Sequence, residues 1–496
     1  MTAWSWLVVA AVGLFVVVLV FSLDLFGRLN AAQDVIGGLK PAFNAQRVAG
    51  DRAAINEISF VVNTLDPLMT PEGGASADVL KLVKFVSQKS GLTPTDVVSA
   101  LRANFPHTTG LLTALPLSGV SAEIPKLVQF LSTSLKLSPP QVLSALQQNF
   151  PKLTQVIINL PKTTAGWNNV PGIALSRFDG TRIETVPQIR DYFNQDVIPV
   201  VERQQNHFRA LGSRGGVGFL APLLLIVGII VMVFGVAMAV LAPAMPKQMT
   251  TAGWLVVTIV GVVVMVLVLG LNLFGRLSGG DDLLDARPAF TAERVAGHRV
   301  AINMVETVTD TFDPAVTQKG GGADEVPKLL AFVSKTSGLS PEQVAGALQQ
   351  NFPKTLGLLT ALPLTKVTDE VPKLVAFLAT TLKVTPDAVN AVFTNTVPKL
   401  GQAVANLPKV TSGWDKIPVA KDLTRFAGEP VISVPEAAAY FKQDVVPAIG
   451  AQRVNFHKVD TTWPRLTVFA PLLMIVGIIV FIYGLLMMYI TRPSKN

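Results

Sequence analysis

Hydrophobic positions concentrate in four stretches that carry almost no charge. They cover residues 4–23, 217–240, 253–274 and 467–490. At about 1.5 Å per residue, each stretch can cross a hydrocarbon core of roughly 30 Å. A core helix of that length normally keeps a polar face, so stretches that are apolar all round predict four transmembrane helices.

The first stretch is predicted to be a retained membrane helix rather than a cleaved signal peptide. No Lys or Arg precedes it, whereas a signal peptide begins with a basic region. The run Leu-Phe-Gly-Arg-Leu that starts at Leu25 recurs at Leu273, after the third stretch. Because that third stretch lies in mid-chain, its equivalent at the start is expected to span the membrane too.

Between the stretches, polar and apolar residues follow a helical period inside blocks that repeat at an offset of 45 residues. We number the blocks 1 to 4 by the lysines that open them, Lys81, Lys126, Lys328 and Lys373. In every block a Ser or Thr precedes a proline (Thr93, Ser138, Ser340, Thr385), a second proline follows (Pro106, Pro151, Pro353, Pro398), and a Leu-Pro pair ends the block (Pro116, Pro161, Pro363, Pro408).

Ser or Thr before Pro is typical of a helix start, because the hydroxyl accepts a free amide and proline lacks one. Gln141, Gln343 and Asp96 stand where a capping box needs them. An apolar stripe at helical spacing follows, formed by Val97, Val98, Leu101 and Phe105. Each block is therefore predicted to form about three short amphipathic helices, with the opening lysines at their solvated edge and few strands anywhere.

A larger repeat covers the whole chain. Trp6-Leu-Val-Val recurs at Trp254, and Ala221-Pro-Leu-Leu recurs at Ala470. The elements keep their order, which indicates a parallel tandem duplication. The predicted fold is all-α: a polytopic membrane protein with four transmembrane helices and two large helical water-facing domains.

The predicted boundaries follow from these patterns, and we call residues 1–243 and 253–496 the first and second halves. The segments are transmembrane helix 1 at 1–27, a helical domain with two 45-residue repeats at 28–216, transmembrane helix 2 at 217–243, a linker at 244–252, transmembrane helix 3 at 253–275, a second helical domain with two repeats at 276–466, and transmembrane helix 4 with a short tail at 467–496.

Composition narrows the possible partners. The chain has no cysteine, which excludes disulfides and thiolate metal sites. A net charge of +8 over 496 residues suits contact with anionic lipid head groups but lacks the basic stripe of a nucleic-acid binder. The expected partners are membrane lipids and either a protein partner or a second copy of the chain, with no nucleic acid.

Charges near the spans predict orientation in the cell membrane. Lys247 in the linker and Arg492 and Lys495 in the tail favour cytoplasmic linker and termini, with both large domains exoplasmic. Arg28 and Arg276, directly after their spans, argue for the opposite orientation.

No catalytic, cofactor or metal site is predicted, so the chain is not expected to be an enzyme. The four histidines, His107, His207, His298 and His457, lack metal-ligand spacing and are expected on the solvated surface. No phosphate-binding glycine loop and no nucleophile elbow occurs in the sequence.

One polar set recurs and is the candidate site. Its members are Arg47, Arg52 and Asn56, repeated as Arg294, Arg299 and Asn303. Arginine suits phosphate and carboxylate recognition, so the set could contact an anion or a lipid head group. The alternative is a structural ion-pair network.

Together these patterns favour a non-enzymatic envelope protein, a scaffold or accessory subunit that binds a protein partner. The alternative is a carrier of lipid or another hydrophobic ligand, with apolar cavities between the short helices. Within the spans, the paired glycines Gly228 and Gly235, and Gly477 and Gly484, each share a helix face and predict close helix packing rather than a pore.

Overall fold

A computed structural model describes residues 3–39, 42, 45–71, 73–211, 218–275, 290–317, 319–417, 423–460 and 468–492. Helix dominates this part of the chain, and the all-α prediction is confirmed. The first half contains helices α1 Trp4–Ser22, α2 Leu25–Leu39, α3 Ala45–Met69, α4 Ala75–Ser90, α5 Pro94–Asn104, α6 Pro106–Ala114, α7 Leu117–Leu135, α8 Pro139–Asn149, α9 Pro151–Trp167, α10 Val186–Asp191, a π-helical turn Tyr192–Val197, α11 Ile198–Leu211 and α12 Leu220–Leu241.

The second half repeats most of this order. A 3-10 turn at Ala242–Ala244 leads to α13 Lys247–Gly270, which begins before the second half. The chain continues with α14 Ala292–Val316, a 3-10 turn at Gly322–Asp324, α15 Val326–Ser337, α16 Pro341–Asn351, α17 Pro353–Ala361, α18 Leu364–Leu382, α19 Pro386–Asn395, α20 Pro398–Gly413, α21 Val434–Tyr440, a π-helical turn Phe441–Val445, α22 Val446–Asp460 and α23 Phe469–Ile490.

Among the described residues, four helices are long and apolar enough to cross a membrane, as predicted. They are Trp4–Ser22, Leu220–Ala244, Lys247–Gly270 and Phe469–Ile490. Helices α6 and α7 together are also long and apolar enough to cross a membrane, but the two helices meet at 84°.

Strand structure in the described residues is limited to a small hairpin and one bridge. Leu175–Ser176 pairs antiparallel with Arg182–Ile183, and Thr424 bridges to Pro430. Two local details differ from the block pattern, because Pro161 and Pro408 lie inside helices α9 and α20 instead of ending a block. Pro116 and Pro363, in contrast, are the N-caps of α7 and α18.

The chain forms two compact units. The span unit comprises Met1–Val48, Pro199–Val295 and Pro447–Asn496, and the helical unit comprises Ala49–Ile198 and Ala296–Val446. The sequence predicts one helical domain in each half. In the structure, the central parts of both predicted domains contribute to a single helical unit.

The block helices begin as their sequences indicate. Thr93, Ser138 and Ser340 each close a capping box with the residue three positions later. Val97, Leu101 and Phe105 are buried and Val98 is half-buried, whereas the four block lysines are exposed. Both outcomes agree with the predicted amphipathic pattern.

The core of the helical unit is continuous between the two halves. Phenylalanine pairs cross from one half to the other with ring centroids 5.4 to 5.6 Å apart: Phe105 with Phe377, Phe130 with Phe352, and Phe150 with Phe332. At the fourth equivalent position the residue is Val397. Helices α6 and α17 cross at Gly110 and Gly357, where a Cβ on either glycine would lie 2.7 Å from the carbonyl oxygen of the other.

In the span unit, α1 packs against α12 and α13 packs against α23. A Cβ at Gly235 would collide with the backbone of Ala10, and one at Gly484 would reach Thr258 Oγ1 at 2.5 Å. The predicted glycine-mediated packing is therefore present in both pairs. The two pairs meet where Trp6 stacks on Trp254, with centroids 3.6 Å apart.

Candidate functional site

Four carboxylates in the helical unit accept hydrogen bonds from helix N-termini of the opposite half. Asp78 accepts from Lys399 N at 2.8 Å, and Glu123 accepts from Thr355 N at 2.8 Å. Glu325 accepts from Leu153 N at 2.8 Å, and Glu370 accepts from Thr108 N at 2.7 Å. Each recipient helix begins with the second proline of a block.

The capping is reciprocal. Blocks 1 and 4 cap each other through Asp78 and Glu370, and blocks 2 and 3 do so through Glu123 and Glu325. The first N–H groups of any helix lack intrahelical partners, and proline at the first position has no N–H of its own. A carboxylate here accepts from the next two N–H groups and lies at the positive end of the helix dipole. The four carboxylates therefore join the two halves of the helical unit.

Several other polar contacts occur twice, at equivalent positions. Trp167 Nε1 donates to Asp66 at 2.9 Å, and Trp414 Nε1 donates to Asp313 at 3.0 Å. An ion pair is repeated in the same way, since Arg177 binds Asp196 at 2.7 Å and Arg425 binds Asp444 at 2.8 Å. The hydrogen bond with its aspartate raises the pKa of each of these two guanidinium groups.

One repeated contact changes its chemistry between the halves. Asn194 Nδ2 donates to Ser59 Oγ at 2.6 Å. At the equivalent positions, Lys442 forms an ion pair with Glu306. A neutral hydrogen bond in one half thus corresponds to a charged pair in the other.

The histidines only partly follow the prediction of a solvated surface. His457 is exposed, and the side chain of His207 lies outside the described residues. His298 is 2% exposed, and its Nε2 lies 2.6 Å from Tyr192 Oη, so the surface prediction is wrong for it. His107 is half-buried, with Nδ1 2.7 Å from the carbonyl oxygen of Thr360. Both histidines contact the opposite half, which the sequence pattern could not reveal.

Among the described residues of the helical unit, three carboxyl groups have raised pKa values. Burial raises the pKa of Glu57, whose Oε1 has no hydrogen-bond partner among the described residues. Burial, followed by repulsion from Glu306 and Asp313, raises the pKa of Asp310. Burial and then Asp313 raise the pKa of Asp415.

The candidate anion-binding set is divided between the units. Arg47 and Arg294 belong to the span unit, and Arg52, Asn56, Arg299 and Asn303 belong to the helical unit. Asn56, Arg299 and Asn303 are exposed, whereas the other three are half-buried. Contact with a head group stays a prediction.

Two cavities bear on hydrophobic-ligand binding. In the helical unit, a cavity lined by residues that include Leu82, Phe105 and Leu378 measures about 10 Å³, room for a single water-sized probe. In the span unit, a cavity of about 70 Å³ lies between all four spans. Its lining consists of Val, Leu, Gly and Phe residues.

Comparison with family models, with curated proteins and with solved structures finds no match. In the described part of the chain, no group of three or more His, Asp or Glu side chains is placed to hold a metal ion. The strongest repeated chemistry is the set of four capping carboxylates, which sequence reasoning missed. A signal was present, because an acidic residue precedes each block lysine by three positions.

Proposed function

We propose that this protein is a non-enzymatic scaffold or accessory subunit of the cell envelope, which binds a protein partner through its helical unit. The reciprocal caps carry the proposal. They use the repeated carboxylates of all four blocks to fix helix positions, which produces a defined helical surface from both halves. A rigid surface lowers the entropy cost of binding a partner.

We further propose that the chain arose by tandem duplication of a unit consisting of span, helical segment and span. The equivalent Trp–Asp and Arg–Asp contacts support this origin, as do the recurring sequence runs. The change from Asn194–Ser59 to Lys442–Glu306 is what a repeated contact shows when both partners diverge together.

The proposed location is the cell membrane, with the helical unit exoplasmic and the termini cytoplasmic. Thr251, near the start of α13, hydrogen-bonds to Thr491, just after α23. Lys247 and Arg492 therefore lie at the same end of the spans, and both are exposed. Basic residues at one end favour that end as cytoplasmic.

Single cysteines test the orientation in a chain that has none of its own. Ser340→Cys lies in the helical unit and Gln248→Cys in the first turn of α13, and both positions are exposed. Intact cells treated with a membrane-impermeant maleimide should label only the Ser340→Cys protein. Labelling of the Gln248→Cys protein alone would place the helical unit in the cytoplasm.

The partner is tested by site-specific photocrosslinking in native membranes. A photoreactive residue at Leu80, which is 74% exposed on α4, should give one adduct of defined mass. The matched control is Val240, which is equally exposed on the apolar helix α12 of the span unit. Absence of any protein adduct from Leu80, together with a monomeric mass for the gently extracted protein, would contradict the scaffold proposal.

Binding or carriage of lipid is the second candidate function. The sizes of the two cavities favour the span unit over the helical unit as the place where lipid would bind. The cavity in the helical unit is too small for an acyl chain, so it gives no support to carriage between the short helices. The cavity among the spans is larger and apolar.

A further inference from the structure

Two threonine hydroxyl groups lie beside the small cavity of the helical unit. Apolar side chains of α4, α5, α6 and α18 form most of its lining, and Thr108 and Thr109 of α6 also border it. The two threonines are only 4% and 7% exposed, and neither Oγ1 atom has a hydrogen-bond partner among the described residues. A buried hydroxyl group that has lost its hydrogen bonds to water destabilises the fold unless another group replaces them.

The repeat explains why a cavity exists at this place. Val83 and Thr109 of block 1 correspond to Leu330 and Leu356 of block 3, and both leucines pack against the core. Every other lining residue has the same type at its equivalent position in the other half. Valine and threonine each have one heavy atom fewer than leucine, so block 1 fills this part of the core less completely than block 3 does.

The hydroxyl group of Thr108 also differs from its equivalent in the partner that it finds. In block 3, Thr355 Oγ1 donates to Glu123 at 2.8 Å, so the capping carboxylate satisfies it. In block 1, the backbone N–H of Thr108 donates to Glu370 at 2.7 Å, but its hydroxyl group does not. A partner for this hydroxyl group therefore has to come from the cavity that Thr108 borders.

The size of the cavity selects that partner. Its volume of about 10 Å³ is close to the least that holds a water molecule, and it is too small for a larger one. Buried waters make about two to four hydrogen bonds, which is why wholly apolar cavities stay dry. Thr108 and Thr109 supply two hydroxyl groups, and each can both donate and accept. A water molecule between them satisfies both oxygen atoms.

We propose that this cavity binds one ordered water molecule, which hydrogen-bonds to the hydroxyl groups of Thr108 and Thr109. The site lies where blocks 1 and 4 join, because Leu374 and Leu378 of block 4 also border it. This joint therefore holds water where block 3 has leucines at the equivalent positions. The proposal does not depend on the scaffold function or on lipid binding, and it can fail without them.

The water is counted in the full-length protein by oxygen-17 magnetic relaxation dispersion in detergent micelles. This measurement counts the water molecules that stay inside the protein for longer than it takes to rotate. Thr109→Leu introduces the residue of block 3 and fills the cavity, so it should lower the count by one. The matched control is Thr380→Leu, the same substitution at an exposed threonine of α18, which should leave the count unchanged.

Valine substitutions test the hydroxyl groups without changing the shape of the side chains. Thr108→Val or Thr109→Val leaves the water and the other hydroxyl group with one hydrogen bond fewer, and each should lower the Tm by about 2–4 °C. The double variant makes the cavity wholly apolar, so it should lower the Tm by less than the sum of the two single effects.

Two results would overturn the proposal. Thr109→Leu could leave the water count as high as Thr380→Leu does, which would show that the cavity holds no water. Additive effects of the two valine substitutions would show that nothing links the hydroxyl groups, as when Thr108 bonds to Glu370 in the manner of Thr355.

Discussion

The carboxylate of Glu370 accepts a hydrogen bond from the backbone N–H of Thr108 at 2.7 Å, although 262 positions separate them in the chain. Its other oxygen accepts from His107 N at 3.2 Å. The equivalent Glu123 does the same for Lys354 and Thr355. These caps connect helices that no local sequence signal would place together.

Removing one cap should destabilise the helical unit. Glu370→Ala leaves two partly buried N–H groups without an acceptor and removes a favourable charge from a helix N-terminus, at a cost of about 1–3 kcal/mol. Thermal unfolding of the purified protein measures the loss as a lower Tm. Glu184→Ala, at an exposed carboxylate paired with Arg182, is the control and should change little. Equal effects of the two substitutions would show that the caps contribute nothing specific.

The crossing of α6 and α17 should not tolerate a side chain at its centre. Gly110→Ala places a methyl group against the carbonyl oxygen of Gly357, and such overpacking costs about 1–3 kcal/mol. Gly346 lies in a helix with open space around it, so Gly346→Ala should stabilise by about 1 kcal/mol. In chemical denaturation, we expect the free energy of unfolding to fall for Gly110→Ala and to rise for Gly346→Ala. A gain in stability from Gly110→Ala would mean that the helices are farther apart than described.

Because Glu57 is partly buried, replacing it should increase the stability of the fold, by an amount that depends on pH. Burial raises the pKa of this carboxyl group above its ordinary value of 4.5, so the folded state holds the proton more tightly than the unfolded state. The neutral form is favoured in the fold, and the stability it contributes is lost as pH rises through the folded pKa.

Glu57→Gln should therefore stabilise the protein at pH 7 and make no difference below about pH 4.5. The gain should not exceed about 1 kcal/mol, because the side chain is only half-buried and water screens its charge. Glu57→Met should behave similarly, since Met304 holds the equivalent position in the second half. Denaturant midpoints measured from pH 4 to pH 8 give the test. A constant difference between Glu57→Gln and the unchanged protein over that range would contradict it.

The neutral and charged versions of one contact should be exchangeable. Glu306→Ser alone leaves Lys442 without its carboxylate, whereas Glu306→Ser with Lys442→Asn recreates the Ser59–Asn194 pair of the first half. We expect the single change to cost about 0.5–1 kcal/mol and the double change to recover most of it.

A double-mutant cycle, with Lys442→Asn as the fourth member, measures the coupling. Loss of Glu306 should also lower the pKa of Asp310, because Glu306 is one of the charges that raise it. Additive single effects would show that the two side chains do not interact.

Much of this architecture is determined by the sequence alone. Uniform apolarity over a membrane-length stretch needs no tertiary partner to predict a span, and Ser or Thr before Pro starts a helix wherever it stands. For this reason the four spans, the capping boxes at Thr93, Ser138 and Ser340, and the exposed block lysines follow from local patterns. The repeated glycines of α12 and α23 indicate their packing faces for the same local reason.

Tertiary structure decided how the two halves combine. An acidic residue three positions before each block lysine is visible in the sequence, but a surface charge and an inter-half cap look identical there. Only the fold brings the carboxylate of Glu370 to the backbone N–H of Thr108, and the ring of His298 to the hydroxyl of Tyr192. The cavity between the four spans has the same origin, because a gap between helices depends on how several helices pack together, and no single segment encodes that distance.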